Sequence, residues 1–153
     1  MRIFELEDFN QGRTLMASPV LSAGVIIVRR LADRPHFLLL RVYRYWDFPK
    51  GLTEKDEEPL AAALREVEEE TSLANLCFRW GMDFRETLPY AMGKVARYYV
   101  AESDRGEVSL PVNPELGHPE HDEFRWCTYE QARELVADRV KPILDWAHSL
   151  IIA

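Results

Sequence analysis

The chain has 153 residues, 47% hydrophobic and 29% charged, with a formal net charge of −7. That length suits a single domain over residues 1–153 with a real core, and the composition is that of a globular protein. The acidic balance argues against a nucleic-acid partner, since phosphate attraction needs clustered Lys and Arg, but a polyphosphate ligand stays open because a bound cation inverts local charge. No apolar run approaches a membrane span, so no membrane partner is expected. The N-terminus carries Glu5, Glu7 and Asp8, where a secretory signal has basic and then apolar residues. The expected compartment is the cytoplasm. Cys77 and Cys127 lie in apolar stretches without metal-ligand spacing and read as small buried thiols.

In chain order, residues 1–19 read as an N-terminal extension. The β-branched run 23–29 and the apolar run 37–42 predict two core strands, with Asp33, Arg34 and Pro35 turning the chain between them. Residues 46–51, Trp-Asp-Phe-Pro-Lys-Gly, predict an extended segment, because Pro49 opposes a helix there. A helix follows over 58–71, with Pro59 tolerated in its first turn. Strands are predicted at 77–80, 84–88 and 96–101, with a turn at 89–93 and a long loop over 104–119. Residues 123–127 form a last strand. Thr128 and Gln131 carry the spacing of a capping box that opens a helix. A final helix covers 141–151, with Ile143, Leu144, Trp146 and Ala147 packing inward. This order of elements predicts an α+β or α/β/α sandwich.

The helix over 58–71 is where the chemistry concentrates. At about 100° per residue, Glu66, Glu69 and Glu70 share about a quarter of the circumference. Leu60, Ala63, Leu64 and Val67 form an apolar stripe that packs on a sheet. Like charges three or four residues apart destabilise a helix by roughly 0.2–0.5 kcal/mol per pair. Such a face is either solvated or neutralised. Magnesium is commonly held by a few carboxylates together with substrate phosphates, so the pattern suits a metal that arrives with a polyphosphate.

The spacing is specific. Gly51 is followed after five residues by Glu57, after seven more by Arg65-Glu66, then by Val67, Glu69, Glu70 and, past Ser72, Leu73. It resembles the box of the Nudix hydrolases, here residues 51–73, with Ser72 standing where the family has Gly. That Gly ends the helix in a left-handed turn, which Ser adopts less readily. The resemblance implies an α/β/α sandwich with a mixed sheet and hydrolysis of phosphoric anhydride bonds. It also implies Mg²⁺ or Mn²⁺ as cofactor, held by Glu66, Glu69, Glu70 and the Gly51 carbonyl. Arg65 is expected to orient Glu57 or Glu69 rather than touch substrate.

The lead-in at residues 46–51, together with Glu120-His121 and Phe124-Arg125-Trp126, looks like the asymmetric diadenosine tetraphosphate hydrolase branch. Similarity to that branch runs from about Ser22 to Trp146. It implies a dinucleoside polyphosphate substrate, with Glu69 or Glu120 as general base. Lys50, with Lys94 or Arg97, would offset phosphate charge, and Tyr90 or Phe124 would stack on a base. His121 is assigned no chemistry. A nucleoside- or pterin-triphosphate pyrophosphohydrolase, or an inactive nucleotide-binding module of the same fold, remains the alternative.

Overall fold

A computed structural model describes residues 20–153. The expected N-terminal extension lies outside the described residues. The chain is strand-rich up to the acidic helix and after it, and helical at its end. In order come β1 (Leu21–Leu31), β2 (Arg34–Val42), β3 (Tyr45–Asp47), β4 (Lys50–Leu52), α1 (Pro59–Thr71), β5 (Phe84–Glu86) and β6 (Val95–Glu102). They are followed by β7 (Val112–Asn113), β8 (His118–Pro119), β9 (Glu123–Cys127), α2 (Tyr129–Leu135) and α3 (Lys141–Ile152).

Seven strands form a mixed sheet with the path β3-β2-β1-β6-β5, while β4 pairs with β1 and β9 with β2. β1 and β6 run parallel, Leu21 opposite Val95 through Val28 opposite Glu102, and the other pairings are antiparallel. Helices cover both faces. Val25 and Ile27 of β1 pack with Ala62, Ala63 and Val67 of α1, whereas Ile26 and Val28 pack with Ala132, Ile143, Leu144 and Ala147 of α2 and α3. A strand buried on both sides needs a continuous apolar run rather than an alternating one, which is why β1 reads Gly-Val-Ile-Ile-Val. The α/β/α arrangement is the expected one.

Four local expectations are corrected. The first turn falls at Ala32 and Asp33, both at positive φ (51° and 62°), and Arg34 and Pro35 already pair with Leu31 and Arg30 in the ladder. A two-residue loop of this left-handed kind matches the twist of the strands it joins. The segment 77–80 makes a single bridge from Cys77 to Glu102 and then turns through Gly81 at φ 97°. Cys77 is accordingly exposed, while Cys127 is buried. Leu64 stays 37% exposed because Ala63 and Val67 take the sheet-facing stripe of α1. Within the long loop, β7 and β8 form a short hairpin of their own. The Thr128–Gln131 capping box is present with both reciprocal bonds, as its spacing predicts.

Two backbone positions hold the functional strand and helix in place. At Gly24 of β1 an added Cβ would run into the Pro49 carbonyl and Lys50, and Val25 N–H donates to that same carbonyl at 3.1 Å. Gly24→Ala should therefore push Lys50 and Gly51 off β1 and cost about 1–3 kcal/mol, the range for overpacking a close contact. Chemical denaturation checks it. At the end of α1, Ser72 adopts the left-handed conformation (φ 70°, ψ 5°) and its N–H donates to Glu68 O. Its hydroxyl lies 2.6 Å from that of Ser109, an exposed contact that offsets part of the conformational cost. Ser72→Gly removes both effects, so stability should change by less than about 1 kcal/mol, with turnover retained. A large loss of turnover would give the hydroxyl a role in the chemistry.

Candidate active site

The site is built where β4 lies against β1 and α1 lies beside β4. An Asp56 in left-handed conformation (φ 63°) turns the chain from β4 into α1, and Pro59 starts the helix. Glu66 then folds its carboxylate directly onto Gly51, so that a Cβ at Gly51 would occupy the space of that carboxylate. The spacing of Gly51, Glu57 and Glu66 is thus a packing requirement as well as a motif.

Arg65 organises the cluster. Its Nε and Nη2 donate to the two Glu57 oxygens at 2.9 and 3.0 Å. Nη1 reaches Glu66 Oε2 at 2.8 Å and Glu69 Oε1 at 3.3 Å, and Nη2 also donates to Leu52 O at 3.1 Å. The bidentate fork suits a carboxylate geometrically. It holds the Glu57 carboxyl down at about 2, chiefly through the Arg65 hydrogen bond, and raises the Arg65 guanidinium further above its ordinary value. Arg65 pairs with Glu57, Glu66 and Glu69 and also lines the cleft.

Glu70 is in the opposite situation. It is only 6% exposed. Lys50 N–H donates to its Oε1 at 3.2 Å, while Oε2 is a buried oxygen with no hydrogen-bond partner among the described residues. Burial, then the charges of Glu120 and Glu66, push its carboxyl up to about 10. Burial also raises Glu66. A buried carboxylate beside two others is costly unless something positive joins it. A divalent cation would satisfy the orphaned Oε2 and offset the like charges of Glu66 and Glu120, so the environment of Glu70 fits a cation ligand.

Lys50, Gly51, Arg65, Glu66, Glu69, Glu70, Tyr90, Lys94 and Glu120 all line one open cleft of about 1190 Å³. Tyr90 and Lys94 reach it from a tight turn in which each backbone N–H donates to the other's carbonyl, at 2.9 and 2.7 Å. Ala91, Met92 and Gly93 take positive φ there. Arg139 covers one face of the Tyr90 ring at 4.1 Å. Glu57 stands behind the wall and acts on it through Arg65.

Two expected substrate residues are not brought to the cleft lining. Arg97 faces β5, where it pairs with Glu86 at 2.7 Å and lies over the Phe84 ring at 3.9 Å. Its charge is already matched across the β5–β6 ladder. Phe124 sits opposite Leu40 in the β2–β9 ladder, exposed but away from the cleft.

Two residues gain importance that the sequence reading did not give them. Asp47 accepts from Tyr98 Oη at 2.8 Å and from Phe48 N–H at 2.7 Å, and lies 3.7 Å from Lys50 Nζ and 3.9 Å from Arg139. The signal for it was one acid inside an otherwise apolar Trp-Asp-Phe-Pro stretch. His121 lines the cleft beside Glu120, and burial lowers its imidazole so that it favours the neutral form.

The cleft gathers the carboxylates of α1 and Glu120 together with Lys50 and Lys94, a lining suited to a phosphate-bearing ligand with a bound cation. The model of the NUDIX domain matches residues 19–147, and the chain belongs to this family of hydrolases of phosphoric anhydride bonds. It is similar to the bis(5'-nucleosyl)-tetraphosphatase [asymmetrical] of Caenorhabditis elegans, 34% identical over 119 residues, covering 74% of this chain and 82% of that protein. An RNA pyrophosphohydrolase of Pelagibacter ubique is 28% identical over 133 residues, covering 77% of this chain and 83% of that protein. Among solved structures, a C. elegans Ap4A hydrolase binary complex superposes with a TM-score of 0.70 at 26% identity, covering 87% of this chain and 98% of that one. No helix among the described residues is long and apolar enough to cross a membrane.

Proposed function

We propose that this Nudix hydrolase cleaves diadenosine tetraphosphate asymmetrically, to ATP and AMP, with Mg²⁺ or Mn²⁺ held by Glu66, Glu69, Glu70 and the Gly51 carbonyl. The observation that carries the reading is the meeting, in one cleft, of the carboxylates of α1 and Glu120 with Lys50, Lys94 and Tyr90. At about 1190 Å³ the cleft has room beyond the usual small-ligand range of about 300–1,000 Å³, as an extended ligand with two nucleosides requires. The C. elegans relatives support the same substrate class.

When bound, the cation supplies Lewis acidity, lowering the pKa of an attacking water and offsetting phosphate charge. The chain does the rest. Glu69 or Glu120 takes the proton from that water. Both are exposed carboxylates that line the cleft, in contrast to the buried Glu70. Lys50, paired with Asp47 at 3.7 Å, and Lys94 offset charge on the departing polyphosphate. Tyr90, which lines the cleft, would stack on a base, a contact worth roughly 1–3 kcal/mol when made.

A second reading, removal of pyrophosphate from a 5′-triphosphate end, is favoured by the similarity to the P. ubique protein. One panel separates the two: dinucleoside polyphosphates, nucleoside triphosphates, 5′-triphosphate RNA and nucleotide sugars, each incubated with Mg²⁺ and resolved by chromatography. Diadenosine tetraphosphate is expected to be the preferred substrate. Release of pyrophosphate from triphosphates, with diadenosine tetraphosphate untouched, would overturn the substrate assignment and leave the family unchanged.

A further inference from the structure

We infer that Glu70, Glu120 and His121 form a divalent transition-metal site of two carboxylates and one imidazole, adjoining the Glu66 carboxylate. The inference rests on the metal-dependent reading above and deepens it, by adding a nitrogen donor and the class of ion it selects, and by assigning Glu120 to the metal, which leaves Glu69 to take the proton from water.

One donor atom from each of the three residues lies within 4.8 Å of the others. They come from two separate parts of the chain: Glu70 from α1, and Glu120 and His121 from the connection between β8 and β9. Consecutive side chains of a strand point to opposite faces. Here β8 ends at Pro119 and the backbone bends at Glu120, which lets neighbouring side chains converge on Glu70.

The second observation is Glu70 itself. The Lys50 N–H fixes its Oε1, and the remaining oxygen, Oε2, is buried without a partner. A buried acceptor left unsatisfied is costly, and a cation between the three donors satisfies it. Two carboxylates and a neutral imidazole carry two negative charges, matching one divalent ion.

The imidazole decides which ion. Magnesium takes oxygen ligands in near-octahedral geometry, whereas imidazole suits zinc, iron and nickel, and affinity at nitrogen-containing sites rises along the first row from manganese to copper. His121 therefore biases this position toward ions such as Co²⁺, Fe²⁺ or Zn²⁺ over Mg²⁺.

The test titrates the full chain with Co²⁺ and records its proton NMR spectrum, in which a coordinated imidazole gives a far-shifted, exchangeable N–H resonance. Competition with Mg²⁺ gives the two affinities. The wild-type chain should show that resonance. In His121→Gln it should vanish, with Co²⁺ affinity falling about tenfold or more, no less than for loss of a supporting ligand contact, and Mg²⁺ affinity retained. Bound Co²⁺ without the resonance would overturn the inference. So would an equal loss of Co²⁺ and Mg²⁺ in His121→Gln, which would make His121 a support for the loop. Both outcomes leave the proposed hydrolysis standing, because Mg²⁺-supported cleavage of diadenosine tetraphosphate tests that separately.

Discussion

Glu70→Gln should raise the melting temperature of the metal-free protein and at the same time cut turnover by about two to four orders of magnitude. The two effects share one cause. Glu70 is buried against Glu66 and Glu120, with its carboxyl pushed up to about 10. A group raised in the folded state contributes stability that is fully present below its unfolded pKa, about 4.3, and lost as pH rises through about 10. Metal-free protein should therefore weaken between those limits, and the neutral glutamine should be spared that loss. The advantage of the variant should be larger at pH 8 than at pH 5. Added Mg²⁺ should raise the wild-type melting temperature by linkage and move the variant much less. Thermal melts with and without Mg²⁺, beside steady-state kinetics, check all three. Full turnover in Glu70→Gln would remove the residue from the mechanism.

Arg65→Ala should lower both stability and turnover, because one guanidinium holds three carboxylates and a backbone carbonyl. Without it, Glu57, Glu66 and Glu69 repel one another and lose their bonds at 2.8–3.3 Å. A fall of roughly 10–100-fold in kcat is expected, the range for losing a residue that orients metal ligands, together with a melting temperature lower by several degrees. Arg65→Lys keeps the charge but not the planar fork, so it should recover stability more than rate. Wild-type kcat in Arg65→Lys would show that charge alone, not bidentate geometry, sets the carboxylates.

Much of the site was legible because it is local. The spacing from Gly51 to Glu70 fixes which residues share one helix face, and a single helix then delivers Glu66, Glu69 and Glu70 to β4. The core strands were legible for a similar reason, since burial on both sides demands an unbroken apolar run. What was not legible was set by pairing across the sheet. Arg97 has the charge of a phosphate ligand, yet its partner Glu86 lies on the neighbouring strand, and sequence spacing does not show that. Cys77 sits between Leu76 and Phe78, and only the short bridge to Glu102 reveals that it faces solvent. His121 was passed over because its meaning depends on a bend at Glu120 that brings it to Glu70, far away in the chain. Asp47 likewise gains its role only once Tyr98, Lys50 and Arg139 surround it.

Hydrolysis of diadenosine tetraphosphate in ¹⁸O-labelled water, with products separated and weighed by mass spectrometry, tests the proposed chemistry most directly. Attack at the phosphorus next to one adenosine leaves ATP as the departing group. The expected result is equimolar ATP and AMP, with one labelled oxygen in AMP, no label in ATP and no reaction without a divalent cation. Two molecules of ADP, or label carried by ATP, would contradict asymmetric attack at that phosphorus. Intact diadenosine tetraphosphate beside ATP cut to AMP and pyrophosphate would contradict the substrate itself.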